Sequence, residues 1–244
     1  MKRALSRVLA VLLVALASTL PVPAQAETAV DLQLVLAVDA SGSVNETRFE
    51  MQKQGYVAAF RHPEVLRAIR SGPLQQIAVT MIQWTGPEMQ TIIVPWTLIK
   101  DAATAHQFAN AIEAAPRRLF AGGTSISGAI DFASGLFAGS GFKSALKVID
   151  VSGDGPNNRG HSVVQARDRA VASGIKINGL PILALVPDLD DYYHKFVIGG
   201  PGSFMLPAAS YEAFPDAVRK KLVLEISDNR LGLTPVPTAV KPRR

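Results

Sequence analysis

Asp39, Ser41 and Ser43 form a D-x-S-x-S loop directly after the apolar run Leu34–Val38. Thr124 follows the pair Gly122-Gly123, and Asp154 follows the strand-like stretch Ala145–Val151 and the turn Ser152-Gly153. All five side chains offer oxygen, the donor that suits hard cations such as Mg²⁺, Mn²⁺ or Ca²⁺. Two carboxylates neutralise a divalent ion, while hydroxyls and waters fill other positions without adding charge. The cation then stays electrophilic and open to an outside ligand. Each residue also has a plainer role: Asp39 and Asp154 suit caps or Asx turns, and Ser41, Ser43 and Thr124 suit local backbone bonds. Only their co-assembly points to a metal.

Co-assembly depends on the elements between them. Leu34–Val38 has the continuous apolar character of a strand buried on both faces of a parallel sheet. Glu46–Phe60 reads as a helix with Phe49, Tyr56 and Phe60 inward, broken at His62-Pro63, and Pro63–Arg70 as a short second one. Ile77–Trp84 and Met89–Trp96 read as strands around the Gly86-Pro87 turn. So short a link makes them antiparallel, with Pro95 near the end of an edge strand. Helices follow at Asp101–Ala115 and from the Gly-Gly turn to about Phe137. After the strand at Ala145–Val151 come a helix at Val163–Ala172 and a strand within Ile175–Leu185. Ser203–Leu206 is a candidate last strand and Tyr211–Leu224 a last helix. The alternation predicts one α/β domain: a doubly wound, mostly parallel sheet with one antiparallel edge strand and helices on both faces. In such sheets ligands bind outside the carboxyl ends of the strands. Asp39 is expected there, at the edge of the sheet and not in the core.

The three-part pattern resembles the von Willebrand factor type A domain and its metal-ion-dependent adhesion site, over roughly Asp31 to Asp228. The resemblance implies a Rossmann-like fold. It also implies a site in which Asp39, Ser41, Ser43 and Thr124 touch the metal or its waters and Asp154 acts through water. Gly153 stands where that family often has Thr, which would loosen the Asp154 loop. The chain also resembles a bacterial family of exported, von Willebrand A-like proteins of unknown function.

The ends read differently from the middle. Lys2, Arg3 and Arg7 precede the apolar run Val8–Leu20 and the Ala24-Gln25-Ala26 cleavage pattern, so residues 1–26 are expected to be a signal peptide. The expected domain is 27–228, and 229–244 reads as a disordered tail rich in Pro and basic residues. The location would be the bacterial periplasm or the exterior, with no stable membrane anchor after cleavage. The formal net charge is +5, but Lys2, Arg3 and Arg7 lie at one end and Lys241, Arg243 and Arg244 at the other. The middle is close to neutral and lacks the basic stripe that nucleic acid requires. With no cysteine, thiolate metal sites, redox chemistry and a cysteine nucleophile are excluded.

Other patterns are weaker. Asp188, Asp190 and Asp191 lack EF-hand spacing. Gly155–Ser162 approximates a phosphate loop, but His161 replaces its lysine and Pro156 removes an amide donor. His62, His106, His161 and His194 show no zinc spacing. Asn157 and Arg159 are candidates for the mouth of the site. The reading that follows is an exported module that holds a divalent cation, Mg²⁺ first with Mn²⁺ or Ca²⁺ as alternatives, and captures an acidic side chain of a protein partner. The alternatives are a metal-assisted hydrolase, for which the motif loops offer no convincing general base, and a structural domain with an empty site.

Overall fold

The computed structural model describes residues 26–227. The signal-peptide reading (1–26) lies outside the described residues except for Ala26, and the tail reading (229–244) and residue 228 of the expected domain lie wholly outside them.

A five-stranded sheet runs in the order β4-β3-β2-β6-β7. It comprises β2 (Leu32–Asp39), β3 (Ile77–Trp84), β4 (Gln90–Ile99), β6 (Lys147–Gly153) and β7 (Ile175–Pro181). β2 lies at its centre, parallel to both β3 and β6; β7 is parallel to β6, and β4 alone is antiparallel, against β3. A separate parallel pair, β1 (Thr28–Ala29) and β5 (Phe142–Lys143), has no counterpart in the sequence reading.

All eight residues of β2 are buried. Leu32, Leu34, Leu36 and Val38 point into one apolar layer; Val35 and Ala37 point into the other. The first layer is closed by α1 (Glu46–Arg61), α2 (Pro63–Arg70), α3 (Ala102–Ala114) and α7 (Phe214–Ser227). The second is closed by α4 (Ile126–Gly135), α5 (Val163–Ala172) and a π-helical turn at Tyr193–Val197, entered from the short α6 (Leu189–Tyr192). Truncating a residue such as Leu34 to Ala would cost about 2–5 kcal/mol.

The doubly wound expectation therefore holds, with three local differences. β4 extends to Ile99, so Pro95 falls inside the strand; it sits at a register irregularity between the Val94–Met81 and Thr97–Val79 pairs, where its missing N–H breaks no ladder bond. α4 ends at Gly135. Ser203–Leu206 forms no strand, only a bridge from Met205 to Gly179.

α7 is fastened to the sheet by buried charge. Lys221 Nζ lies 2.6 Å from Asp150 Oδ1 on β6 and 2.8 Å from Glu225 Oε1. Asn178 on β7 donates to the same Glu225 oxygen at 2.7 Å, and all four residues are buried. Two carboxylates face one ammonium, so burial, and next the Asp150 charge, push the Glu225 carboxyl up from its ordinary 4.5. An acid raised in the folded state holds a proton that the unfolded chain releases. Its contribution to stability is therefore full below pH 4.5 and is lost as the pH rises through the folded value. Glu225→Gln should flatten that decline in a series of denaturant melts. Lys221→Met, which leaves two carboxylates buried together, should cost about 3–5 kcal/mol. A wild-type slope retained in Glu225→Gln would contradict this assignment.

Candidate metal centre

β2 is the topological switch point, since the chain moves to β3 on one side and to β6 on the other. Asp39 ends β2, Asp154 follows the end of β6, and the Thr124 loop precedes α4. The topology thus brings the three sequence-distant parts to one sheet edge.

The five predicted residues meet there. Asp39 Oδ1 accepts the Ser41 backbone N–H at 2.7 Å. Ser41 Oγ and Ser43 Oγ are 3.2 Å apart, and Ser43 Oγ donates to Asp154 Oδ1 at 2.5 Å. Tyr211 OH donates to the other Asp154 oxygen at 2.8 Å. Thr124 is nearly buried, and a Cβ placed on Gly155 would lie 3.8 Å from its Oγ1. Asp39 itself is fully buried, which corrects the expectation that the edge of the sheet would leave it outside the core. Trp84, Gly153 and Tyr193 close over it.

That burial leaves Asp39 Oδ2 without a hydrogen-bond partner. Burial, and then the charge of Asp154, push its carboxyl up to about 7. A buried carboxylate oxygen with no donor carries a desolvation cost that a proton or a cation removes. Both Asp154 oxygens, by contrast, already accept hydroxyl hydrogens. Burial and the Asp154 charge also push the Tyr211 phenol up, so it remains a donor. The residues present fit a hard divalent ion: one orphaned carboxylate oxygen, three hydroxyls, and a second carboxylate placed by its own hydrogen bonds. Among the described residues no group of three or more His, Cys, Asp or Glu forms a metal cluster. The donor set here has two carboxylates and is otherwise alcoholic.

At Gly153 the packing leaves no room for a larger residue. A Cβ there would stand 2.9 Å from Asp39 Oδ2, 3.0 Å from Tyr193 OH and 3.3 Å from the Trp84 ring. Tyr193 and Asp39 fill the space that a larger residue would need, and Ser43 and Tyr211 restrain the loop instead.

Several residues that hold the site carried no recognisable sequence signal. Arg117 is only 5% exposed. It donates to the carbonyls of Ala40 (3.2 Å) and Val44 (2.5 Å), bracketing the D-x-S-x-S loop, and its guanidinium lies 5.2 Å from the Phe49 ring centroid and 5.3 Å from that of Phe120. Arg48 Nη1 donates to Ser43 O at 2.7 Å, and Gln52 Nε2 donates to Asp39 O at 3.2 Å. These contacts fix the carbonyls of Asp39, Ala40, Ser43 and Val44 along the loop that carries the site residues. These donors reach in from other elements, and such residues look like ordinary helix and loop polars in a sequence.

The remaining candidates settle elsewhere. Ser162 Oγ caps α5 by accepting from Gln165 N–H, and Asn157 and Asn158 accept the amides of Ser127 and Thr124. The phosphate-loop resemblance is therefore a scaffold for the Thr124 loop. Asn158 and Arg159, rather than Asn157, line the cleft at its mouth. His161 pairs with Asp131 at 3.0 Å on the surface, His62 caps α2, and Asp190 accepts the Asp191 amide at the start of α6.

The family described as Protein of unknown function (DUF1194) matches residues 29–230. The chain belongs to that family. No curated protein matches it. Among solved structures it is similar to proximal thread matrix protein 1 of the mussel byssus, with a TM-score of 0.62 and 15% identity over 82% of this chain and 49% of that one. A second form of the mussel protein, described as having a zinc-occupied MIDAS motif, matches with a TM-score of 0.59 and 12% identity over the same shares. The pilus adhesin SpaC of Lactobacillus rhamnosus GG matches at 0.54 and 16% over 84% of this chain and 32% of that one. A von Willebrand factor type A protein from Catenulispora acidiphila matches at 0.51 and 16% over 82% and 43%. The fold is that of a von Willebrand factor type A domain, and the chain spans about half the length of the mussel protein or less of the others.

Arg117→Met keeps the apolar stem and removes the donors. It leaves two loop carbonyls unbonded, and should lower stability by about 2–3 kcal/mol in denaturant melts. A change below about 0.5 kcal/mol, the range of ordinary surface substitutions, would contradict its bracing role.

Proposed function

We propose that this domain is an exported binding module in which Asp39, Ser41, Ser43 and Thr124 hold a divalent cation, with Asp154 acting through water. A cation held there would offer a coordination position to an acidic side chain of a protein partner. The observation that carries this reading is the Asp39 Oδ2 atom, buried without a donor at the sheet edge where the Ser41, Ser43 and Asp154 side chains also meet. Oxygen donors favour Mg²⁺, Mn²⁺ or Ca²⁺, with Mg²⁺ the first choice. The zinc in the MIDAS motif of the mussel protein is support for a divalent ion at this place in the fold.

The chemistry favours capture over turnover. Asp39 and Asp154 offset the ion's charge, and neutral hydroxyls add none, so the bound cation retains affinity for an anionic oxygen. Asp154 is held by Ser43 and Tyr211, and a carboxylate so engaged is poorly placed to take a proton from water. The module is therefore not assigned an enzymatic role. Export agrees with the basic head and cleavage pattern of residues 1–26, and with the pilus adhesin among the similar folds. No helix of the described residues is long and apolar enough to cross a membrane.

Calorimetric titration with Mg²⁺ and Mn²⁺ tests the reading. Asp39→Asn preserves shape, keeps an oxygen to accept the Ser41 amide and removes the charge; it should lower metal affinity at least about tenfold while circular dichroism stays native, because it neutralises a buried acid whose second oxygen has no donor. Ser41→Ala and Thr124→Ala, which remove neutral ligands, should cost less. Capture of partners from envelope extract should need Mg²⁺ and fail in EDTA. Undiminished metal affinity in folded Asp39→Asn would overturn the assignment.

A further inference from the structure

Beside Thr124 lies a cleft of about 520 Å³, bounded by Gly86, Pro87 and Met89, by Gly122 and Gly123, and by Asn158 and Arg159. Its walls are tied to the metal centre. Asn158 Oδ1 accepts the Thr124 amide at 2.8 Å, and the amides of Asn158 and Arg159 donate to the Thr124 carbonyl at 2.9 and 3.2 Å. The Arg159 stem lies flat on Gly123: a Cβ on that glycine would stand 2.2 Å from Arg159 Cγ. Gly123 thus gives Arg159 a fixed track across the residue that precedes a proposed metal ligand.

The two other arginines of the site, Arg48 and Arg117, are engaged by loop carbonyls. The Arg159 guanidinium has no partner among the described residues, and no carboxylate lines the cleft it borders. Pro87 and partly exposed Met89 supply an apolar wall along which methylenes can lie. A planar fork of donors above an apolar wall matches a carboxylate at the end of a short aliphatic stem.

We infer that this cleft receives a second acidic side chain of the captured partner, paired by Arg159, so that the module selects segments bearing two acidic residues over segments bearing one. This rests on carboxylate capture at the cation as proposed above. The metal supplies affinity for the first carboxylate, and Arg159 supplies discrimination through the second.

The test uses acetylated and amidated peptides Glu-Glu, Glu-Gly-Glu and Glu-Gly-Gly-Glu. Each is paired with counterparts in which one or the other Glu is Gln, and binding is measured by calorimetry in saturating Mg²⁺. At least one diacidic peptide should bind wild type about fivefold tighter than either of its Gln counterparts. In Arg159→Gln that ratio should fall to about one, while affinity for Mn²⁺ alone and for the single-Glu peptides stays within about twofold. A ratio near one in wild type, or one that persists in Arg159→Gln, overturns the inference and leaves carboxylate capture standing. Absence of binding by every Glu peptide, with Mg²⁺ bound, overturns capture itself and the inference with it.

Discussion

A carboxylate placed at the end of the central, doubly covered strand is the constraint on which this architecture turns. β2 is buried along its length, so the group that ends it enters a region already stripped of water. One Asp39 oxygen receives the Ser41 amide and the other receives nothing. A stable fold built only for packing would place an apolar residue or a paired polar one there. The cost is local, and no Lys, Arg or His of the described residues pairs with Asp39. This favours an electropositive visitor over a built-in counter-ion.

The layers around the sheet act on this point from both sides. α1 contributes Arg48 and Gln52, which bind the carbonyls of Ser43 and Asp39. The segment after α3 contributes Arg117, and the segment before α7 contributes Tyr211. From the other layer the π-helical turn brings Tyr193 against Gly153. α7, which follows Tyr211, is in turn anchored to the sheet by the Lys221–Asp150 ion pair and by the Asn178 hydrogen bond to Glu225. The loop that bears Asp154 is thus coupled mechanically to the helix that closes the first layer. The physical chain runs from a buried ion pair through a helix and a phenol to a carboxylate at the site.

Much of this was legible in the residues. The apolar run ending in Asp39, the turn at Gly86-Pro87 and the alternation of strands and helices specify the sheet and its antiparallel edge, because those features depend on local periodicity and turn chemistry. The D-x-S-x-S loop, Thr124 and Asp154 were legible because three parts in order are improbable together. What escaped was long-range. Arg117 lies 73 residues from the carbonyl of Val44 that it binds, and Tyr211 lies 57 from Asp154. Neither contact leaves a spacing rule. Gly153 read as a weakened position because its role is steric, set by Tyr193 and Asp39 from other elements. The full burial of Asp39 was hidden for the same reason: a strand end is an edge in sequence, while its exposure depends on what folds over it.

The central claim is that the orphaned Asp39 oxygen belongs to a cation site. The most direct measurement is a crystal structure of the domain grown with Mn²⁺, with anomalous scattering used to locate the metal. One strong peak is expected at the carboxyl end of β2, with the Asp39 carboxylate and hydroxyls of Ser41, Ser43 or Thr124 within about 2.0–2.6 Å and Asp154 joined through water. Well-ordered density at saturating Mn²⁺ with no peak there, and Asp39 Oδ2 hydrogen-bonded to water or to a protonated neighbour, would contradict it.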